Sequence, residues 1–227
     1  CYLLERIQDR YASLSETIGK GVADKVFSAN TVHLIPDIDA VFHGIQESLK
    51  PGGIFAFESG NIDRKDRKEG VLLVDDTVAR VHDIALDIVQ KDDKFAKYRA
   101  DLPKRIEQEE QQRKFVFPKP RDVEFYLQKL RNAGLEYISS QYKQIKFKYD
   151  DWLHFLRVKR LQAGILPEIG GKDPTPQEEA DRDELITKAA QTLFKELEET
   201  NPMADHIGFT AEVVYVIATK KKLPVGL

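Results

Sequence analysis

Four short stretches carry residue types able to act on a ligand. His33 stands between Val32 and Leu34. An imidazole whose unperturbed pKa is about 6.5 suits proton transfer near neutrality, as a base or as an electrostatic neighbour of a reacting centre. A histidine inside an apolar run is also readable as a packed, hydrogen-bonded core residue. Just before it, Ser28-Ala29-Asn30-Thr31 is either an ordinary strand-to-helix turn with local hydrogen bonds or the rim of a site. Glu58-Ser59-Gly60-Asn61 offers a carboxylate, Glu58, able to orient an amine or hydroxyl, or else to cap a loop, and Asn61 beside it. Trp152, His154, Phe155 and Arg157 form the fourth group. Arg157, with Lys159 and Arg160, presents a fork suited to an anionic ligand such as a carboxylate, or simply a solvated basic helix face. No metal site is expected: His43, His82, His154 and His206 lack ligand spacing, and Cys1 is the only cysteine.

The elements that must position these residues follow from periodicity and punctuation. Leu3, Ile7, Tyr11, Leu14 and Ile18 recur at helical spacing, and Gly19 and Gly21 close that helix. Asp24 to Asn30 reads as a short apolar strand running into a turn. A helix follows with Asp37 as N-cap and Ile38, Val41, Phe42, Ile45 and Leu49 on one face. Lys50-Pro51-Gly52-Gly53 stops it, and Ile54 to Glu58 is a strand apolar on both faces, the mark of a covered parallel sheet. Strand, amphipathic helix and strand make a right-handed crossover.

Residues 60–70 read as a polar loop. A helical stripe of Val78, Val81, Ala85, Ile88 and Val89 starts after Asp75 and Asp76. Residues 91–121 are charge-rich, a solvated helix and linker or a mobile cap. Asp122 opens a helix with Val123, Tyr126, Leu127 and Leu130 inward, and Gly134 closes it. Strand-like segments run over 135–149, a helix over 152–161, and a Gly/Pro loop over 164–176. Thr175-Pro176-Gln177-Glu178 is a capping box opening a helix that carries Leu185, Ile186, Ala189, Ala190, Leu193, Phe194 and Leu197. Asn201-Pro202 ends it. Residues 210–219 are an apolar last strand. The class is α/β.

The 227 residues suffice for one domain with a real core. With 35 basic and 38 acidic residues the formal charge is -3, which argues against sequence-independent nucleic-acid binding. No apolar run nears the ~20 residues of a membrane-spanning helix, and no signal peptide is visible in the first residues. A cytoplasmic location, no membrane and no nucleic-acid partner are the expectations.

Three of these segments, in order, resemble class I S-adenosylmethionine-dependent methyltransferases. The segment from Asp24-Lys25-Val26-Phe27 to His33-Leu34 is similar to that family's fourth strand and the loop after it. Ile45 to Phe57, with Leu49-Lys50-Pro51-Gly52-Gly53, looks like its next helix, turn and fifth strand. Asp122 to Tyr137 resembles the helix before the sixth strand, and the resemblance of these three would make 210–219 the antiparallel seventh strand. The resemblance implies a Rossmann-like methyltransferase sheet, partial and mostly parallel with an antiparallel last strand. It covers most of the chain and implies a single domain, 1–227, with a helical, charged insertion or cap at 63–121 and a substrate-side helical insertion at 150–208.

The implied function is methyl transfer from S-adenosylmethionine to a small molecule, in line. Ser28, Ala29, Asn30 and Thr31 would then lie at the carboxyl end of a parallel strand, near the methyl-bearing end of the cofactor. His33 would be the catalytic neighbour, and Glu58, Asn61, Trp152 and Arg157 would bind the substrate. The family's Gly-rich loop after its first strand and the acidic residue ending its second do not occur in this sequence. The sequence is therefore expected to begin partway through the domain, leaving the strand at 24–28 with a bare apolar edge that a second copy or a partner segment would cover. The alternative function is a non-catalytic or truncated methyltransferase-fold subunit serving binding or assembly. Another nucleotide-binding α/β enzyme is a third reading, disfavoured by the lack of any Gly-rich phosphate loop.

Overall fold

The structure, a computed structural model, describes residues 6–7, 10–200 and 208–222. In chain order the elements are β1 (Arg6–Ile7), β2 (Arg10–Tyr11), α1 (Leu14–Ile18), β3 (Ala23–Ala29), a 3-10 turn (Val32–Leu34), α2 (Ile38–Ser48) and β4 (Leu49–Ser59). Next come β5 (Ile62–Asp63), β6 (Val71–Leu72), α3 (Val74–Lys91), a second 3-10 turn (Asp93–Tyr98), α4 (Leu102–Val116), β7 (Arg121–Asp122) and α5 (Val123–Asn132). The chain ends with β8 (Leu135–Lys148), α6 (Tyr149–Leu156), α7 (Lys159–Ile165), α8 (Pro176–Thr200) and β9 (Gly208–Lys220). They gather into two compact units, one of Cys1–Arg67, Arg121–Lys143 and Val213–Leu227, the other of Lys68–Pro120 and Gln144–Glu212. The expected insertions overlap the second unit.

In the first unit β3 runs parallel to β4, from Lys25 opposite Ile54 to Ala29 opposite Glu58. Antiparallel to β4 on its other side is β9, with Ile54 opposite Thr219 and Ser59 opposite Val214; β8 also pairs with β9. The core lies under one face of this sheet. Phe42 of α2 meets Phe55 and Phe57 at 5.4 and 5.8 Å between ring centroids, and Tyr126 of α5 lies 6.0 Å from Phe57. Such aromatic packing carries much of a small core's stability. The helix starts follow the sequence signals: Asp37 accepts from the Ala40 N–H at 3.1 Å, and Asp122 from the Glu124 N–H at 2.8 Å.

Three expectations change. The helix from Leu3 to Ile18 is not formed: Arg6–Ile7 pairs antiparallel with Arg10–Tyr11, and α1 covers only Leu14–Ile18. Ser13 and Glu16 form a reciprocal capping box that sets the start at Leu14, a local signal stronger than the apolar spacing upstream. Leu3 lies outside the described residues. Second, β4 already begins at Leu49, and the Pro51-Gly52-Gly53 stretch bulges between the Ala23–Leu49 and Lys25–Ile54 pairs. Glycine is needed there because a Cβ on Gly53 would sit 2.9 Å from the Lys50 carbonyl oxygen. Third, β4 is not covered on both faces. Phe55, Phe57 and Ser59 are buried, whereas Ile54, Ala56 and Glu58 are half-buried. The β3 strand stands at the end of the sheet, with Phe27 63% exposed.

The second unit is built mainly from helices. The charged stretch after Lys91 folds as the second 3-10 turn and α4, and the 60–70 loop is interrupted by β5, which lies in the first unit and pairs in parallel with β7 of that same unit. Helix α3 starts at Val74, before Asp75 and Asp76, and the Asp76 carboxylate accepts from the Leu73 N–H at 2.8 Å. The expected capping box at α8 is present: the Glu178 carboxylate accepts from the Thr175 N–H at 2.8 Å, and the Thr175 hydroxyl accepts from the Glu178 N–H at 3.3 Å. Its end at Asn201-Pro202 lies outside the described residues. The core of this unit unites Val78, Val81 and Ala85 of α3, Leu185 to Phe194 of α8, and Trp152 and Leu156 of α6. Val71 and Leu72 of β6 run parallel to Thr210 and Ala211.

Two substitutions test these cores separately. Phe42→Ala in the first unit is expected to cost about 3–5 kcal/mol of unfolding free energy in a denaturant titration. Gly164→Ala in the second places a Cβ 2.4 Å from Val116 and is expected to cost about 1–3 kcal/mol by overpacking.

Candidate functional site

The parallel register of β3 and β4 brings two of the four sequence stretches together. The last bond of this pairing runs from the Asn30 N–H to the Glu58 carbonyl oxygen at 2.9 Å. Asn30 takes a left-handed backbone with φ 46°, a conformation asparagine tolerates better than most residues. Its side-chain oxygen accepts from the Gly60 N–H at 3.4 Å, tying the two strand ends together. Thr31 donates its hydroxyl to the Ala29 carbonyl at 2.7 Å. Ala29, Asn30 and Thr31 are exposed and Ser28 is half-buried.

The chain then enters the 3-10 turn that carries His33. Its Nδ1 lies 2.8 Å from the hydroxyl of Ser59, which also accepts from the Asn61 N–H at 2.9 Å. Ser59 and Asn61 are buried. Burial lowers the His33 pKa to about 4, so the ordinary imidazole value assumed from sequence is displaced and the ring is neutral at pH 7. Burial raises the Glu58 carboxyl above its usual range, opposed by a backbone hydrogen bond from Asn30. Strand alternation puts the Glu58 and Ser59 side chains on opposite faces of the sheet.

Ser28 to Thr31, His33, Glu58 and Asn61 thus share one strand end. Trp152 and Arg157 belong to the second unit. Trp152 is 1% exposed, stacks on Phe155 at 4.6 Å and lies 5.1 Å from Phe209, a packed core position. Arg157 spends its fork on Asp183, with bonds of 3.0 and 2.8 Å. Lys159 pairs with Glu179 at 3.0 Å. The second unit also holds a polar cavity of about 570 Å³ lined by Lys97, Tyr98, Lys104, Arg105, Glu168 and Thr175 among others. The contact of Ser59 with His33 was not legible in the sequence: the two residues are 26 positions apart, and only the strand register joins them. Among the described residues no group of three His, Cys, Asp or Glu side chains could hold a metal ion, and no helix is long and apolar enough to cross a membrane. His206 lies outside the described residues.

The His33 shift has a measurable consequence. Below about pH 6.5 the unfolded chain binds a proton at His33 that the folded chain refuses, so stability is present above that pH and falls as pH drops toward 4. Wild type is expected to lose roughly 3 kcal/mol more than His33→Gln across that window in urea titrations.

No protein-family model matches the sequence, and a search of curated proteins gives no significant match. Solved structures do match. Loganic acid methyltransferase with S-adenosylhomocysteine aligns over 91% of this chain and 64% of its own, at 10% identity and a TM-score of 0.53. The YcgJ protein of Bacillus subtilis aligns over 90% of this chain and 66% of its own, at 13% identity and a TM-score of 0.46. Phosphoethanolamine N-methyltransferase 2 of Haemonchus contortus, in complex with S-adenosyl-L-methionine, aligns over 93% and 36%, at 15% identity and a TM-score of 0.40. The chain thus spans less than two thirds of the length of the loganic acid enzyme. The match to that enzyme, together with the parallel β3–β4 pair and the antiparallel β9, gives this chain the Rossmann-like α/β fold of the S-adenosylmethionine-dependent methyltransferases.

Proposed function

We propose that the protein takes part in S-adenosylmethionine-dependent methyl transfer to a small molecule, at the carboxyl ends of β3 and β4. The observation that carries this reading is the cluster of Asn30, His33, Glu58 and Ser59 at the carboxyl end of a parallel strand pair, the place where open α/β sheets bind ligands. The donor set fits one end of the cofactor. Glu58 supplies a carboxyl group beside the Asn30 backbone, suited to a sulfonium cation, and the exposed Ala29-Asn30-Thr31 backbone allows close approach. When bound, the cofactor supplies a methyl group on a positively charged sulfur.

The chain's own work is then positioning. Ser28 to Thr31 hold the cofactor side, and Glu58, which the resemblance assigned to the substrate, joins them because its carboxyl lies beside the Asn30 backbone, while His33 and Asn61 face the substrate and keep water from it. A neutral His33 adds no positive charge beside a cationic donor. In-line transfer needs little covalent participation by the protein, so alignment and desolvation carry the rate.

Titration of S-adenosylhomocysteine into the full chain by calorimetry tests the proposal. Saturable binding is expected, weakened roughly tenfold by Asn30→Ala, the size of one lost hydrogen bond, about 1.4 kcal/mol. A folded chain that binds nothing contradicts it. The open edge of β3, with Phe27 63% exposed, favours a second reading as a binding or assembly subunit. In that case Phe27→Lys is expected to reduce self-association in light scattering on the same sample.

A further inference from the structure

Ser59 ends β4 with its side chain fully buried, and its hydroxyl oxygen has two neighbours, the Asn61 backbone nitrogen at 2.9 Å and His33 Nδ1 at 2.8 Å. The Asn61 N–H can only donate, so the Ser59 oxygen accepts there. The hydroxyl proton then needs an acceptor of its own, because a buried donor left without one is destabilising. Among the described residues the acceptor within reach is His33 Nδ1. Burial keeps the His33 ring neutral at pH 7, and a neutral imidazole has one proton to place. With Nδ1 accepting from Ser59, that proton sits on Nε2.

We propose that Ser59 is a positioning residue that holds His33 in its Nε2–H form, so that this strand end presents a hydrogen-bond donor and takes a carboxylate or carbonyl oxygen of its ligand. His33 in this form has no lone pair on Nε2 with which to remove a proton, so its part is to bind and orient an oxygen acceptor, and general-base chemistry at Nε2 is excluded. The ligand class deepens the methyl-transfer reading and rests on its assignment of His33 to the substrate side. The tautomer stands independently of it.

Long-range proton–nitrogen correlation spectra of the ¹⁵N-labelled full chain at pH 7 read the tautomer directly, with His33 assigned by its loss in His33→Gln. The expected spectrum has a protonated Nε2 and a lone-pair Nδ1. Ser59→Ala should populate the Nδ1–H form, and Ser59→Thr, which keeps the hydroxyl, should restore the wild-type pattern. Should Ser59→Ala fail to fold, Ser59→Cys, a near-isostere with only a weak S–H donor, takes its place with the same expected and overturning results. Acetate added to wild type is expected to shift the His33 Nε2–H resonance, and methylammonium to leave it in place. An Nδ1–H wild type, a Ser59→Ala spectrum identical to wild type, or a response to methylammonium in place of acetate overturns the proposal. None of these readouts needs the cofactor, so a failure to bind S-adenosylhomocysteine would count against the methyl-transfer reading alone.

Discussion

The parallel register of β3 and β4 decides what stands at the candidate site. Ala29 lies opposite Glu58, and one further bond, from the Asn30 N–H to the Glu58 carbonyl, ends the ladder. From there the left-handed turn at Asn30 sends the chain back over the strand end, where His33 reaches Ser59. Because strand side chains alternate, a slip of one residue would exchange Glu58 and Ser59 between the faces of the sheet and leave His33 without its partner. The register is protected by the aromatic packing of Phe42, Phe55 and Phe57 beneath it and by the glycine bulge at its start, which absorbs the mismatch between Ala23 and Lys25 on one strand and Leu49 and Ile54 on the other.

What was legible in the sequence was local. Asp37, Asp122 and the Thr175–Glu178 box mark helix starts through bonds spanning two or three residues, and the structure places them as read. The buried faces of α2 and α5 followed from periodicity in the same way, whereas β4, read as apolar on both faces, buries only the face of Phe55 and Phe57. The opening helix failed because apolar spacing alone does not fix where a helix starts, whereas the Ser13–Glu16 capping box starts α1 at Leu14. Non-local pairing was not legible. Arg157 has the right chemistry for an anion, yet whether its fork is free depends on Asp183, 26 residues later. Trp152, assigned to the substrate through the resemblance, is a packed core ring.

The fold and the site speak to different questions. The strand arrangement and the likeness to loganic acid methyltransferase concern the scaffold. The proposed function rests on a few side chains whose environments differ sharply over a short distance. Burial pushes His33 down and Glu58 up, so at pH 7 the strand end combines an uncharged ring with a carboxyl group less acidic than usual. Both shifts have the same cause, the cost of holding charge away from water.

Amide chemical-shift mapping of the full chain with S-adenosylhomocysteine tests the central claim most directly, since it locates binding as well as detecting it. The account expects the changes to concentrate at residues 28–33 and 58–61. Changes confined to residues 97–108 and 168–178, around the polar cavity of the second unit, would contradict it.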